Sequence, residues 1–451
     1  MAALKLKPKW VSLRLLAVLL VAGGVIATSW LLAALRSGSQ PALLPEGLPF
    51  VGNARLGASL DRQIAGLQNR LAATPDDWQA YSQLGVAYLQ KARETGDPSY
   101  YPKVEGVLQK ALALAPDDYT ALGAMGELSL ARHQFDAALA WGEQARQINP
   151  DRTYAYGVMV DAQVELGRYA EAQETLQQMV DLRPDQSAFT RISYLRELHG
   201  DTAGAIAMMQ QAVDSAGPRG ERSAWTRTQL AHLHFNRGDL AQAERGYLYA
   251  DQAFPGYAHA LAGLGRVRAA QGRVDEAITL LDRAIQVMPL PEFVTTLGDL
   301  YLVSGRPEAA QEQYELVYAI QRLYTANGVE LDVELALFAA DHGGVAVETV
   351  QQARRAFAAR PSIYAADVLA WALYRAGQFE EAQQFSQQAL RLGTEDALKY
   401  FHAGMIAYQL DNRTQARADL ARALAINPYF SIRYADEARR TLAALEATPR
   451  N

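Results

Sequence analysis

Histidine and cysteine side chains form most protein metal centres, and this sequence has seven histidines and no cysteine. His232 and His234 lie two positions apart, so on a helix their side chains would point roughly 200° away from each other. His259, His342 and His402 are widely separated in the chain, and no His-Glu-x-x-His motif occurs. We therefore expect no metal site. The missing cysteine also excludes disulfides, thiolate zinc sites, iron–sulfur clusters and thiol nucleophiles.

One short glycine motif could suggest a nucleotide cofactor. Gly263-Leu264-Gly265 matches the first two glycines of a dinucleotide-binding loop, but Arg268 occupies the third glycine position and no strand precedes the motif. The sequence has no P-loop and no Gly-x-Ser-x-Gly motif for a nucleophilic serine. These observations predict a protein without a cofactor and without catalytic activity.

A recurring small residue indicates how the chain is organised. Alanine returns every 33 or 34 residues, apart from two longer steps that contain insertions near residues 217–220 and 324–328 and one position taken by threonine. The series is Ala138, Ala172, Ala205, Ala243, Ala277, Ala310, Thr349, Ala382 and Ala416. Such a period is typical of a solenoid, in which each unit buries its apolar face against its neighbours.

Each period has the pattern of two helices. In residues 258–290, Leu261, Leu264 and Val267 have helical spacing, and Gly272 is suited to end that helix in a left-handed conformation. A second helix carries Ala277 on its inner face and stops at Pro289. Because two helices joined by a short turn cross closely, small residues are expected at their contact.

The N-terminus predicts a membrane anchor. Residues 15–35 carry no charge, and at ~1.5 Å per residue they would span the ~30 Å apolar core of a bilayer. Four basic residues precede this run, which places the N-terminus in the cytoplasm and the rest of the chain across the membrane. A cleaved signal peptide is the alternative, although its apolar region is usually shorter, at ~7–15 residues.

Three segments carry a family resemblance: Leu84-Gly85-x-x-Tyr88, Gly167-Arg168-Tyr169-x-x-Ala172, and Ala423-x-Ala425-x-Asn427-Pro428. The chain resembles the tetratricopeptide repeat proteins, which implies an all-α, right-handed α-solenoid after one transmembrane helix. We expect a basic cytoplasmic N-terminus at 1–14, a transmembrane signal anchor at 15–35 and a Pro/Gly linker at 36–58. The solenoid would cover 59–431 with about ten repeats, and a capping helix and tail would cover 432–451. The expected units start near Trp78, Tyr119, Thr153, Ser187, Ala224, Ala258, Pro291, Glu330, Ile363 and Ala397.

The resemblance also implies a binding groove, because the first helices of such repeats line the concave face. Residues off their packing stripe would face this groove, and aromatics among polar groups are typical of a surface that holds a peptide. The candidate partner-binding residues are Tyr154, Asp161, Tyr194, Phe338, Asp341, Asp367, Trp371, Tyr374, Phe401, His402 and Tyr408. Family members that clamp a C-terminal carboxylate carry lysine and asparagine where this chain has Ser82, Val86 and Ala124, so that clamp is absent.

These features together predict a single-pass inner-membrane scaffold or adaptor whose extracytoplasmic repeats bind a protein or peptide. Beyond residue 45 the chain holds 38 basic and 49 acidic residues, which argues against nucleic-acid binding. Asp341 and Asp367 lie near the candidate aromatics, so we expect the preferred partner segment to be basic or to carry a free amine. Two alternatives stay open. One is a structural, oligomer-building envelope protein. The other is an assembly factor, since residues 64–88 resemble the start of the repeats in c-type cytochrome maturation subunits.

Overall fold

A computed structural model describes residues 54–343 and 346–447 of the 451-residue chain. The predicted cytoplasmic segment (1–14) and transmembrane anchor (15–35) lie outside these residues. Most of the predicted linker (36–58) also lies outside the described residues. Its last five residues, 54–58, instead belong to the first helix, because alanine, arginine and leucine in this stretch favour helix formation. Across the described part of the chain, no helix is both long enough and apolar enough to cross a membrane.

The described residues form 22 α-helices and no strand, which confirms an all-helical repeat array. The helices are α1 (Ala54–Ala73), α2 (Trp78–Thr95), α3 (Tyr100–Leu114), α4 (Tyr119–Ala131), α5 (Phe135–Ile148), α6 (Thr153–Glu165), α7 (Tyr169–Leu182), α8 (Gln186–Leu198), α9 (Thr202–Ser215), α10 (Glu221–Asn236), α11 (Leu240–Ala253), α12 (Ala258–Ala270), α13 (Val274–Val287), α14 (Pro291–Val303), α15 (Pro307–Ala326), α16 (Asp332–Asp341), α17 (Ala346–Ala359), α18 (Ile363–Arg375), α19 (Phe379–Ala389), α20 (Ala397–Gln409), α21 (Arg413–Ile426) and α22 (Ala435–Ala447).

Ten helix pairs form the units: α2 with α3 is unit 1, and α20 with α21 is unit 10. Seven of the ten first helices begin at the residue that the repeat predicts, and α8, α10 and α16 begin within three residues of it. α1 precedes the array as half a unit, and α22 follows it. The insertion expected around 324–328 is mostly helical, because α15 continues to Ala326 before the chain turns at Asn327.

The small residues hold the two helices of each unit close together. Every alanine of the repeat series is at most 1% exposed, and Thr349 is 4% exposed. At the crossing of α12 and α13, a Cβ on Gly265 would lie 3.3 Å from the carbonyl oxygen of Ala277. A larger side chain at either position would push the helices apart.

The array coils back on itself, and unit n touches the loop before unit n+6. We call this line of contacts the seam. In unit 2, the Arg132 carbonyl accepts a hydrogen bond of 2.9 Å from the Glu330 N–H. In unit 3, the Tyr169 hydroxyl accepts one of 2.9 Å from the Ile363 N–H, and Gly167 lies against the backbone of Pro361.

The same register continues on both sides of these two units. In unit 4, the Thr394 hydroxyl donates to the Leu198 carbonyl. In unit 5, the Asn427 side-chain amide donates to the Phe235 carbonyl over 2.9 Å. At the other end, Gly96 in the turn of unit 1 lies against the Met288 side chain, just before unit 7. The Gly96 carbonyl also accepts a hydrogen bond of 2.9 Å from the Tyr324 hydroxyl, in the second helix of unit 7. Five consecutive units therefore contact the second superhelical turn through their helix-to-helix turns.

The segment between α21 and α22, residues 428–434, runs along the first helices of units 7 to 10. The Arg433 guanidinium lies 3.8 Å from Asp299 in unit 7, and the Tyr434 hydroxyl donates to Asp341 in unit 8 over 2.6 Å. The Tyr434 ring also stacks on Phe401 in unit 10, with 5.1 Å between ring centroids. The chain's own C-terminal segment thus fills this part of the concave face.

Candidate functional site

One position of the repeat collects the side chains that face the inside of the superhelix. It stands eleven residues before each residue of the alanine series, and we call it the groove row. Its members are Glu127, Asp161, Tyr194, His232, Arg266, Asp299, Phe338, Trp371 and Met405. In units 2 to 7, every member of the row is either a polar residue or an aromatic residue with a polar group. In units 8 to 10, the members are Phe338, Trp371 and Met405, which are largely apolar. That change divides the candidate site into two parts.

In the first part, a cavity of about 650 Å³ lies between the two superhelical turns. The groove-row residues Asp161, Tyr194 and Arg266 line it from units 3, 4 and 6. Segments 360–364 and 394–399 of the second turn line it from across the seam. The seam therefore builds this cavity, because neither superhelical turn alone supplies all of its walls.

Acidic groups dominate the unit 3 and unit 4 side of the cavity. Asp161 accepts a hydrogen bond of 2.8 Å from the Arg191 Nε, and Glu165 lies 3.6 Å from Arg360. Glu197 accepts a longer bond, 3.4 Å, from the amide of Asn236. Burial is the largest influence on all three carboxyls and raises the pKa of Asp161, Glu165 and Glu197. Arg191 and Arg360 already lie beside Asp161 and Glu165, so a further cation in the cavity would favour the ionised form of Glu197 most.

Two tyrosines lie beside these carboxyls with part of their rings uncovered. Tyr194 is 44% exposed and Tyr364 is 37% exposed, although both line the cavity. Burial of their hydroxyl groups raises the pKa of both, and the nearby glutamates raise it further. Both tyrosines are therefore neutral and present a ring face together with a hydroxyl group, a combination that suits contact with a peptide.

Tyr154, predicted with this group, lies outside the residues that line the cavity. Its hydroxyl donates to Glu127 of the groove row over 2.5 Å, and Arg93 forms an ion pair with the same carboxylate. Tyr154 is 37% exposed. It belongs to a neighbouring cluster on the first helices of units 1 to 3.

In the second part, the structure places five predicted groove residues in the interior. Each is at most 6% exposed: Phe338, Asp367, Trp371, Phe401 and His402. Their side chains pack between adjacent units and under residues 428–434. Trp371 stacks on His402 with 4.1 Å between ring centroids and meets Tyr434 edge-on at 5.6 Å. A first helix in this region faces a covered groove, whereas the sequence interpretation assumed an open one.

The remaining predicted residues surround that interior cluster. Asp341 accepts hydrogen bonds from the Trp371 indole, over 2.8 Å, and from the Tyr434 hydroxyl. Tyr374 stacks on Trp371 at 4.6 Å and is partly exposed. Tyr408 is 40% exposed, so among the predicted residues of units 9 and 10 it is the aromatic most open to solvent.

The histidines take part in internal contacts. The His402 Nδ1 lies 3.1 Å from both carboxylate oxygens of Asp367, and the His342 Nε2 lies 2.8 Å from Asp299. Burial lowers the pKa of His232 to about 3 and that of His259 to about 4, so both are neutral near pH 7. Within the described ranges, no three or more potential ligands cluster closely enough to hold a metal ion.

Sequence reasoning missed most of the residues that line the cavity, and Tyr364 and Arg266 are two instructive examples. Tyr364 was missed because it reaches the cavity only through the seam, which the repeat pattern does not encode. Arg266 could have been found, because it holds the same repeat position as Asp161 and Tyr194. The change of the groove row from polar to apolar at Phe338 was also a readable signal that something covers units 8 to 10.

Four family models, each described as a tetratricopeptide repeat, match residues 129–192, 228–288, 363–403 and 400–430. A search of curated proteins found no match.

Similar solved structures include the APC/C hetero-tetramer Cut9–Hcn1, with 13% identity, 87% of this chain and 94% of that chain covered, and a TM-score of 0.37. Yeast Tom70 has 14% identity, 87% and 93% coverage, and a TM-score of 0.33. A tetratricopeptide repeat protein from Parabacteroides merdae has 14% identity, 52% and 89% coverage, and a TM-score of 0.39. Scores this low carry no information about a partner of this chain.

Proposed function

This chain belongs to the tetratricopeptide repeat proteins, and we propose that it is a membrane-tethered scaffold that holds a basic segment of a partner protein in the cavity between its two superhelical turns. The family is typical of protein–protein interaction scaffolds and not of enzymes. The observation that carries the proposal is the convergence of Asp161, Glu165 and Glu197 with the uncovered rings of Tyr194 and Tyr364.

A basic segment fits this cavity for an electrostatic reason. Carboxylates that are partly removed from water lose hydration, and their raised pKa values reflect that loss. A lysine or arginine side chain entering the cavity would restore favourable interactions for the ionised form. The tyrosine rings would add apolar and cation–π contacts with the same side chain.

The chain's own C-terminal segment supports the same chemistry. Arg433 lies beside the carboxylate of Asp299, and Tyr434 donates to the carboxylate of Asp341. Both carboxylates belong to first helices on the concave face, as do Asp161 and Glu197. Residues 428–434 are thus an internal example of a basic, aromatic segment held by this type of surface.

The binding test uses the full-length chain in lipid nanodiscs and two fluorescent probe peptides, one of alternating lysine and alanine and one of alternating glutamate and alanine. We expect anisotropy to show binding of the lysine peptide alone. Glu197→Gln should weaken it by about fivefold, the upper range for a partly exposed charge pair. Glu143→Gln is the matched control, because Glu143 is exposed in unit 2 and does not line the cavity. Equal affinity of both peptides, or equal loss in both variants, would refute the proposed site.

The membrane part of the proposal depends on residues 15–35 and the basic residues before them. We propose that the N-terminus is cytoplasmic and that the repeats lie on the extracytoplasmic side. A reporter enzyme that is active only outside the cytoplasm, fused after Asn451, should be active. N-terminal sequencing should find the anchor uncleaved. Activity of a reporter that works only in the cytoplasm, fused at the same position, would contradict this topology.

A further inference from the structure

The groove row contains one cation without a counter-charge, Arg266 in unit 6. Its guanidinium carbon lies 4.3 Å from the centre of the Phe235 ring, and the side chain lines the cavity. A guanidinium carries five N–H donors and stays protonated in proteins. Among the described residues, Arg266 makes no recorded hydrogen bond or ion pair with any of the acceptors around the cavity.

Other cations that face the concave side are paired, which sets Arg266 apart. Each has a carboxylate within 3 Å: Arg93 with Glu127, Arg191 with Asp161, Arg360 with Glu334, and Lys399 with Asp396. The charged acids of the groove row are paired as well. The missing counter-charge at Arg266 is therefore a local property of unit 6.

The surroundings of Arg266 are rich in donors. The Tyr247 hydroxyl is fully buried and has no hydrogen-bond partner among the described residues. Burial raises the pKa of Tyr247, and Arg266 lies close enough to oppose part of that rise. His232 and His259 are neutral near pH 7 and can each donate one N–H. Burial lowers the pKa of Arg266 itself, so this cation is partly removed from water without a protein group to compensate.

We propose that Arg266 is the centre of an oxyanion site that binds a carboxylate or phosphate group on the unit 6 side of the cavity. The site itself does not depend on the proposed function. Only the source of the anion, the partner segment, rests on the proposed function. Carboxylates and phosphates suit a guanidinium because its two parallel N–H donors can reach two of their oxygens. The partner segment would then carry a basic residue and an anionic group that enter the same cavity.

The first test needs no partner. Thermal unfolding of the full-length chain in nanodiscs is followed in acetate, phosphate and chloride at equal ionic strength. A bound oxyanion should raise the wild-type Tm by about 1–3 °C relative to chloride, through linkage between binding and folding. Arg266→Met should abolish this shift, whereas Arg283→Met, at an exposed position of α13, should retain it. The anion that gives the larger shift, acetate or phosphate, identifies the preferred group.

The second test uses the lysine–alanine peptide with a free C-terminal carboxylate, with a C-terminal amide, or with the amide and one internal phosphoserine. We expect an anion-bearing form to bind wild type about tenfold more tightly than the plain amide, the range for a hydrogen bond to a charged group. Arg266→Met should bind all three forms equally.

The two proposals fail in different ways. If the peptides bind wild type and Arg266→Met with the same preferences and no anion shifts the Tm, the oxyanion site is refuted while the basic-segment proposal stands. If no peptide binds but an anion shifts the Tm of wild type and not of Arg266→Met, the site stands and its assigned source is refuted.

Discussion

Units 3 and 4 and units 9 and 10 present the same repeat position to the inside of the superhelix, with opposite results. In units 3 and 4, Asp161 and Tyr194 line an open cavity, and Tyr194 is 44% exposed. In unit 9, Trp371 is 1% exposed and donates its indole hydrogen to Asp341. The difference comes from residues 428–434, which cover the later units and leave the earlier ones open.

This comparison shows that a position on the concave face does not by itself make a binding residue. An aromatic such as Trp371 is an interior residue when a segment of the same chain lies over it. An aromatic such as Tyr194 stays 44% exposed where the open cavity lies in front of it. Whether a segment of the same chain covers the groove therefore decides whether a first-helix side chain is an interior residue or an exposed one.

The largest expected effect is a difference in stability between a variant in the filled groove and a variant in the open cavity. Trp371→Ala should lower the free energy of unfolding by about 3–5 kcal/mol, because it leaves a large cavity between units 8, 9 and 10. Tyr194→Ala should lower it by only about 1 kcal/mol, since nearly half of Tyr194 is already exposed. Urea unfolding followed by circular dichroism measures both. Equal midpoints for the two variants would contradict the division between a filled and an open groove.

The next effect concerns the seam that walls the cavity. Gly167 and Gly272 both have positive φ, so alanine at either position costs about 1 kcal/mol for the left-handed conformation. At Gly167 the new Cβ would lie 2.5 Å from the Pro361 carbonyl oxygen, while at Gly272 it meets no atom within 4 Å. Gly167→Ala should therefore cost about 1–3 kcal/mol more through overpacking.

Hydrogen exchange shows where that additional loss occurs. Gly167→Ala should reduce protection in unit 9 around residues 361–375, although this region lies far away in sequence. Gly272→Ala should leave unit 9 unchanged and affect only the local turn. Faster exchange in unit 9 of both variants, or of neither, would contradict the seam.

The smallest effect is a pH dependence of the open region. Asp161, Glu165 and Glu197 have raised pKa values, so between their ordinary and raised values the folded chain binds more protons than the unfolded chain. Stability should therefore rise as pH falls through that interval, while binding of the lysine peptide weakens. Glu197→Gln should be at least as stable as wild type at about pH 7, and that advantage should shrink at about pH 5.

Fluorescence anisotropy at both pH values measures the binding of the lysine peptide, and urea unfolding midpoints at the same pH values measure stability. Binding that strengthens on acidification would contradict the role given to the three carboxyls.

The sequence predicts the helices well because the alanine series and the turn glycines are local signals. It predicts the contact between Gly265 and Ala277 for the same reason. The apolar groove row at Phe338, Trp371 and Met405 indicates a cover but not what provides it. The filled groove was missed because the return path of residues 428–434 depends on the coil of the whole array. The cavity was predicted only in part: Asp161 and Tyr194 follow from repeat position, whereas Tyr364 joins them through the coil of the whole array.

The seam has a consequence for cooperativity. A simple solenoid behaves as a one-dimensional array, in which a disturbance passes only between neighbouring units. Here hydrogen bonds such as that between Tyr169 and Ile363 join residues 194 positions apart. Each unit in the seam therefore has neighbours in two directions, as in a rolled sheet of repeats. We expect unfolding to spread from unit 3 to unit 9 without passing through the units between them, and folding to be slower than in an open solenoid of the same length, because such long loops close late.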